Sequence, residues 1–279
     1  MKINLIREFS SMRQLSVYFK NEKQCREFLA FQRWKGTPKC PYCGHDHIYH
    51  KCDGRYACAG CGNTFSVLVG TVFQNTKLPL IVWFKAIYLV SNSKQGISSC
   101  QLSMILGVTQ KTAWFILHKI RILMKQRDDE FEDVVQGNIE LRESNKGTLF
   151  WVRIPFKIHN IHPKVLKYVQ PGSRIFTDYN LCAQSLFDSE YEIYKIEDPY
   201  PLYAHTRSFQ SENIVDGFWL QLKRLVMGVC HFVSAAHFHR YIYEVLFRKQ
   251  HARLPNSKRF YKLMNRIEQA IPYKVVRPR

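Results

Sequence analysis

Four cysteines in two C-x-x-C pairs constrain this sequence more than any other feature. They are Cys40, Cys43, Cys58 and Cys61. Short turns present such thiolates with little strain, and four thiolates form the tetrahedral ligand set that zinc prefers. Each pair runs into a glycine, Gly44 or Gly62, as a tight turn requires. A redox pair or unrelated buried thiols are the alternatives, but two pairs separated by a short polar hairpin favour one structural zinc site.

The remaining histidines and cysteines near these pairs do not change that interpretation. His45, His47 and His50 could act as ligands, but with four cysteines already in register we interpret them as solvated hairpin residues. The other cysteines are scattered, so the sequence predicts no disulfide framework and indicates a reducing compartment. These scattered residues are Cys25, Cys52, Cys100, Cys182 and Cys230.

The charge of the chain favours a nucleic-acid partner. Its 279 residues include 41 Lys and Arg against 22 Asp and Glu, for a formal net charge of +19. Such a field attracts phosphate backbones. A membrane surface is the alternative, but the best apolar run, residues 78–90, is short and contains Lys85. The N-terminus also lacks the long apolar segment of a secretion signal.

Hydrophobic periodicity divides the chain into blocks of an α+β multi-domain protein. We expect a helical lead-in, a zinc ribbon, a helical region, a longer segment with strand-like runs and a basic C-terminal tail. The corresponding ranges are 1–35, 36–66, 67–128, 129–250 and 251–279.

The helical region contains a pattern typical of a helix-turn-helix. Residues 97–105 predict a short helix, 106–108 a turn, and Thr109 the N-cap of a second helix. We expect the second helix to face DNA, with Lys111, His118 and Lys125 on one outward face. The candidate DNA-binding residues are Thr109, Gln110, Lys111, Thr112, His118 and Lys125. A helical hairpin whose charged side is merely solvated is the alternative.

Three long phrases identify a family that this chain resembles. They are FSVLVGTVFQNTKLPLIVWFKAIYLV, SKQGISSCQLSMILGVTQKTAWFILHKIR and ENIVDGFWLQLKR. The sequence from Phe28 to Arg248 is similar to bacterial insertion-sequence transposases that join an N-terminal zinc ribbon to a DDE-type catalytic domain. The resemblance implies that the partner is double-stranded DNA, namely the inverted repeats at the ends of the element. It implies a location in the bacterial cytoplasm, in association with the nucleoid. A homo-oligomer is possible.

The resemblance also implies an RNase H-like domain in which acidic residues hold two divalent ions, Mg²⁺ or Mn²⁺. Two such ions stabilise the attacking and the leaving oxygen of a phosphodiester. Asp178, at the end of a strand-like run, matches the family's second acid and Asp216 matches the third. Lys223, two helical turns after Asp216, is then placed to contact phosphate. Asp178 and Asp216 also have an ordinary structural interpretation, because Asp is common at turns after strands and in the first turns of helices.

At the first acidic position the sequence departs from the family, because Arg142 stands there. A unit charge pair near 4 Å is worth about 4 kcal/mol at an effective dielectric of 20, so this arginine should weaken metal binding by several kcal/mol. Glu140 shares the face of Arg142 and could pair with it, whereas Glu143 points to the other face. Glu143 and Glu140 are the nearest candidates for a substitute ligand.

The segment between Arg142 and Asp178 is shorter than in the family, which predicts a truncated RNase H-like α/β domain with strands missing. We therefore expect a transposase copy with impaired catalysis and an intact DNA-binding half. Two alternatives stay open. One is a non-enzymatic DNA-binding remnant or regulator, and the other is a zinc-ribbon adaptor that binds protein.

Overall fold

A computed structural model of the chain describes residues 8–125, 139–141, 174–177, 192–195, 220–231, 233–234 and 237–277. The chain divides into two compact units. The first comprises Met1–Met124, Met227–Phe232 and His251–Arg279, and the second comprises Lys125–Val226 and Val233–Gln250. The first unit therefore includes both ends of the sequence. Within the described residues, no helix combines the length and apolar character needed to cross a membrane.

The first unit begins with two capped helices, α1 (Met12–Tyr18) and α2 (Glu22–Trp34). Ser11 and Asn21 cap them, because each side chain accepts a hydrogen bond from the backbone N–H three residues later. One face of α2 is buried through Cys25, Phe28 and Leu29, which is the face that the apolar spacing predicts. The lead-in is thus part of the core of the first unit.

A three-stranded antiparallel sheet follows, with strands β1 (Ile48–His50), β2 (Tyr56–Cys58) and β3 (Thr64–Phe65) in the order β1-β2-β3. Its buried face is aromatic. Tyr56 stacks on Phe65 with ring centroids 5.6 Å apart, and Trp34 meets Tyr56 edge to face at 4.9 Å. The last residue of α2 therefore attaches the sheet to the lead-in helices.

Three helices come next: α3 (Leu80–Asn92), α4 (Ser99–Leu106) and α5 (Gln110–Leu123). Pro79 precedes α3 and provides no side-chain cap, but Glu22 of α2 accepts a 2.8 Å hydrogen bond from the Leu80 N–H. Helix α4 has a capping box formed by Ser98 and Gln101. It ends at Gly107, whose φ of 66° suits glycine.

The C-terminal segment, which the sequence predicts as a basic tail over residues 251–279, is helical and packed where the structure describes it. It forms α7 (Asn256–Met264) and α8 (Tyr273–Val276), and α7 packs against α3. Phe260 is fully buried and its ring lies 5.4 Å from Phe9 and 5.9 Å from Phe84. Lys258 and Lys262 are exposed on the outer side of α7, while its apolar side completes the core.

In the second unit the described strands are β4 (Ile139–Leu141), β5 (Arg174–Thr177) and β6 (Glu192–Lys195). β4 pairs with β5 antiparallel and β5 pairs with β6 parallel. Helix α6 (Phe238–Gln250) buries Val245 and Leu246 together with an ion pair between Glu244 and Arg248. Residues 220–223 are helical, and Arg224–Cys230 continues in π-helical geometry, of which the part from Met227 on belongs to the first unit.

Candidate metal centre and nucleic-acid interface

The first unit brings the four cysteines of the two C-x-x-C pairs together, with all four sulfur atoms within 4.8 Å of one another. The Sγ atoms of Cys40 and Cys61 are 3.6 Å apart, and those of Cys43 and Cys58 are 3.5 Å apart. Tetrahedral zinc with Zn–S bonds near 2.3 Å requires sulfur–sulfur distances of about 3.8 Å. The cluster therefore fits a zinc ion in size and in donor type.

The two pairs share one backbone geometry. The N–H of Gly44 donates to the carbonyl of Cys40 at 2.9 Å, and the N–H of Gly62 donates to the carbonyl of Cys58 at 3.0 Å. Both glycines have positive φ, 76° and 69°, which explains why each pair runs into glycine. Each turn thus aims two sulfur atoms at a common point.

Histidines do not belong to this cluster. Among the described residues it contains only the four cysteines. His45, His47 and His50 are exposed, and the ring of His50 lies 4.7 Å from that of Tyr56. They occupy the hairpin surface.

The thiols of the cluster differ in acidity. The Asn63 backbone N–H lowers the pKa of Cys61 to about 6, and the Asn63 side-chain amide adds a 3.3 Å contact. For Cys43 the His45 backbone lowers the pKa, but hydrogen bonding to Cys58, followed by desolvation and the other thiols, outweighs it and raises the pKa to about 12. A metal that binds all four sulfurs must therefore displace at least the proton of Cys43.

Four of the six predicted DNA-contacting residues, Thr109, Gln110, Lys111 and Thr112, lie at the start of α5. Thr109 caps the helix, since its side chain accepts from the Thr112 N–H, and the two hydroxyls are 2.9 Å apart. Gln110 is exposed, and its amide lies 3.4 Å from the Ser99 hydroxyl of α4. Lys111 is exposed. Two of the four residues therefore stabilise the turn, while Gln110 and Lys111 face outward.

The prediction that His118 lies on an outward face with Lys111 is wrong. His118 is only 1% exposed, and its ring packs on Trp114 with centroids 4.1 Å apart. From Ile116 to Arg121 every residue of α5 is buried, so no side of the helix faces water there. Lys111 and Lys125 are exposed, and the exposed part of α5 is its beginning.

A feature of the sequence that points to the same surface is the distribution of acidic residues. No Asp or Glu occurs between Asp53 and Asp128, and none follows Glu268. Helices α3, α4, α5 and α8 therefore contain no acidic side chain, so the cations of these helices have no carboxylate within their own helix.

Of the catalytic residues that the resemblance implies, only Lys223 lies within the described residues. Asp178, Asp216 and Glu143 are outside them, as is Arg142, although β4 and β5 end directly before Arg142 and Asp178 respectively. Lys223 is exposed on a helical segment. Their roles stay predictions.

Comparison with known proteins relates both units to transposition. Residues 20–64 match the transposase zinc-ribbon domain, and residues 117–250 match the ISXO2-like transposase domain. The chain is also 30% identical over 100 residues to a protein of the transposable element ISH50 from Halobacterium salinarum. That match covers 34% of this chain and 33% of the relative. No solved structure matches the chain.

Proposed function

We propose that the chain is the DNA transposase of a bacterial insertion sequence in a form with impaired catalysis, because it matches the transposase zinc-ribbon domain and the ISXO2-like transposase domain. The observation that carries the proposal is the order of these two matches along one chain. Between them lie α4 and α5, in a stretch without acidic residues. The resemblance found in the sequence is confirmed at the level of the domains.

The zinc ribbon is proposed to hold one structural zinc ion through Cys40, Cys43, Cys58 and Cys61. The sulfur spacing and the soft donor set support this. The ion would fix the two turns relative to each other. That rigidity matters because the buried face of β2 and β3 packs on Trp34, so the ribbon positions the lead-in helices.

DNA recognition is proposed for α4 and α5, acting as a helix-turn-helix. The three-residue connection, the capped start of α5 and the exposed Gln110 and Lys111 support it. In this arrangement the first residues of the second helix reach base edges, and lysines contact phosphate. Because His118 is buried, recognition depends on the beginning of α5.

Strand cleavage and transfer are proposed for an RNase H-like fold in the second unit. Asp178 and Asp216 would hold Mg²⁺ or Mn²⁺, with Lys223 on phosphate and Glu143 the nearest substitute acid. Bound divalent ions supply charge stabilisation for the attacking and leaving oxygens. Arg142 at the first acidic position argues for impaired cleavage, because a guanidinium repels the cations.

Two measurements test this function. Duplex DNA carrying the sequences that flank the gene should bind with a log affinity that falls by about 5 per decade of salt, if about six phosphates are contacted. A flat salt response would reject DNA binding and favour a zinc-ribbon adaptor for a protein partner. Incubation of the same DNA with magnesium or manganese should give no strand cleavage.

A second candidate is a DNA-binding remnant or regulator that occupies element ends and competes with active copies. An arginine at the first acidic position, together with a well-packed first unit, favours this candidate. Arg142→Asp, which restores the first acid, distinguishes the two candidates. It should restore DNA cleavage in an impaired transposase and not in a DNA-binding remnant.

A further inference from the structure

Helix α8 is fixed against α5 by an aromatic pair. The ring of Tyr273 stacks on that of Phe115, with centroids 5.6 Å apart and planes 25° from parallel. Val276 is fully buried and Ile271 is 7% exposed, so apolar residues anchor both ends of this short segment. The position of α8 on α5 is therefore set by packing.

The contact lies on the stripe of α5 that carries Lys111. Lys111, Phe115 and Lys119 follow one another at four-residue steps and share one side of the helix. Lys119 is buried, Phe115 is partly covered by Tyr273, and Lys111 is exposed. Helix α8 consequently lies one turn along the same side from the exposed lysine.

Helix α8 and the residue after it carry two exposed cations. Lys274 and Arg277 are both exposed, and Tyr273 retains 58% of its surface. A guanidinium nitrogen of Arg277 donates to the Tyr273 hydroxyl at 3.4 Å, which holds the positive charge beside the stacked rings and raises the pKa of Arg277. Neither α5 nor α8 contains an acidic residue that would neutralise these groups.

We infer that α8 forms part of the DNA-binding surface, with Lys274 and Arg277 contacting phosphates of duplex DNA while the first turn of α5 contacts the groove. This inference rests on the proposed DNA binding by α4 and α5. Tyr273 acts as a positioning residue, because it connects Arg277 to Phe115. A surface formed by α5 and α8 would be complete only when the C-terminal segment is folded onto α5.

The test compares two double variants of the 279-residue chain that have the same net charge. Lys274→Ala/Arg277→Ala removes the proposed contacts, whereas Lys258→Ala/Lys262→Ala removes two exposed lysines of α7, which packs on α3. Affinity for a 30-bp duplex of random sequence and for the flanking sequence is measured from ~0.05 to ~0.5 M salt. The α8 variant should lower the salt slope by about 2 and the affinity ~30-fold at 0.15 M salt, counting ~0.9 per phosphate.

The control variant should keep the slope of the unmodified protein. Equal losses in both double variants would overturn the inference, because they would reflect net charge rather than location. Tyr273→Ala should weaken binding in the same direction, and Tyr273→Phe, which keeps the stack but removes the hydroxyl that accepts from Arg277, should recover only part of it. If the unmodified protein binds and Lys111→Ala weakens it while the α8 variant does not, the inference alone fails. If the unmodified protein shows no salt-dependent binding, the proposed function fails as well.

Discussion

The ammonium of Lys119 donates a 2.8 Å hydrogen bond to the carbonyl of Val72, and both groups are buried. The same ammonium lies 5.7 Å from the centre of the Trp83 ring and 5.1 Å from that of Phe115. Burial lowers the pKa of Lys119. The N–H of Val72 in turn donates to the carbonyl of Ile267 at 2.9 Å, so Val72 connects α5 with the C-terminal segment.

Replacing Lys119 should therefore affect stability rather than DNA binding. Lys119→Met leaves the buried Val72 carbonyl without this donor, and we expect a loss of about 1–3 kcal/mol in the free energy of unfolding. Urea denaturation followed by tryptophan fluorescence measures it. Lys111→Met is the matched control, since that side chain is exposed, and it should weaken DNA binding while stability stays within about 0.5 kcal/mol. An unchanged urea midpoint for Lys119→Met would contradict this role.

The C-terminal helix α7 should be needed for the stability of the first unit. Phe260 is fully buried between Phe9, Phe19 and Phe84, so Phe260→Ala should cost about 3–5 kcal/mol in the free energy of unfolding. Val275→Ala, at a residue 50% exposed, should change it by less than about 0.5 kcal/mol. Similar melting curves for the two variants would show that α7 is dispensable for this core.

Zinc content should depend on the clustered cysteines alone. Cys58→Ala should lose the stoichiometric zinc of the unmodified protein, because three thiolates leave the tetrahedral site incomplete. Cys52→Ala, at an exposed cysteine outside the cluster, should keep it. Metal analysis of the three purified proteins gives the answer, and equal zinc in all of them would reject the site.

Zinc binding should release protons in a pH-dependent way. At pH 7.5 the thiol of Cys43, with a pKa of about 12, is protonated and gives up its proton, while Cys61, at about 6, is already a thiolate. Below pH 6 the Cys61 thiol is protonated as well, so zinc must displace one more proton than at pH 7.5 and its affinity falls more steeply as the solution becomes more acidic. Proton release measured with an indicator at pH 7.5 and 5.5 tests this. Asn63→Ala should move the pH at which the Cys61 thiol loses its proton to a higher value. Identical proton release at both pH values would contradict the difference in pKa between Cys43 and Cys61.

The arginine at position 142 should be the main obstacle to DNA cleavage. The unmodified chain should not cleave DNA carrying the flanking sequences, whereas Arg142→Asp restores three acids with Asp178 and Asp216. Recovered metal-dependent cleavage would show that one residue prevents the chemistry. Continued inactivity with a non-cooperative melt of the second unit would instead place the defect in the shortened domain. Cleavage by the unmodified chain that is lost in Asp178→Ala would overturn the impaired-copy proposal and direct attention to Glu143.

The sequence by itself determined the features that depend on neighbouring residues. The spacing of each C-x-x-C pair and its glycine defines a turn within five residues, and the structure has positive φ at both Gly44 and Gly62. Helix α5 begins after Thr109 as predicted, because a cap involves only the next three residues. The buried face of α2 also follows from its local periodicity.

Tertiary structure alone decided what covers each face. Periodicity places Lys111 and His118 on one side of α5, but only packing leaves Lys111 exposed and buries His118 against Trp114. Likewise, nothing local distinguishes a basic tail from a helix whose Phe260 fills a core formed by residues more than 150 positions earlier. Such contacts are specified by complementary shape and apolar area across distant segments, which a pattern read along one stretch of chain does not contain.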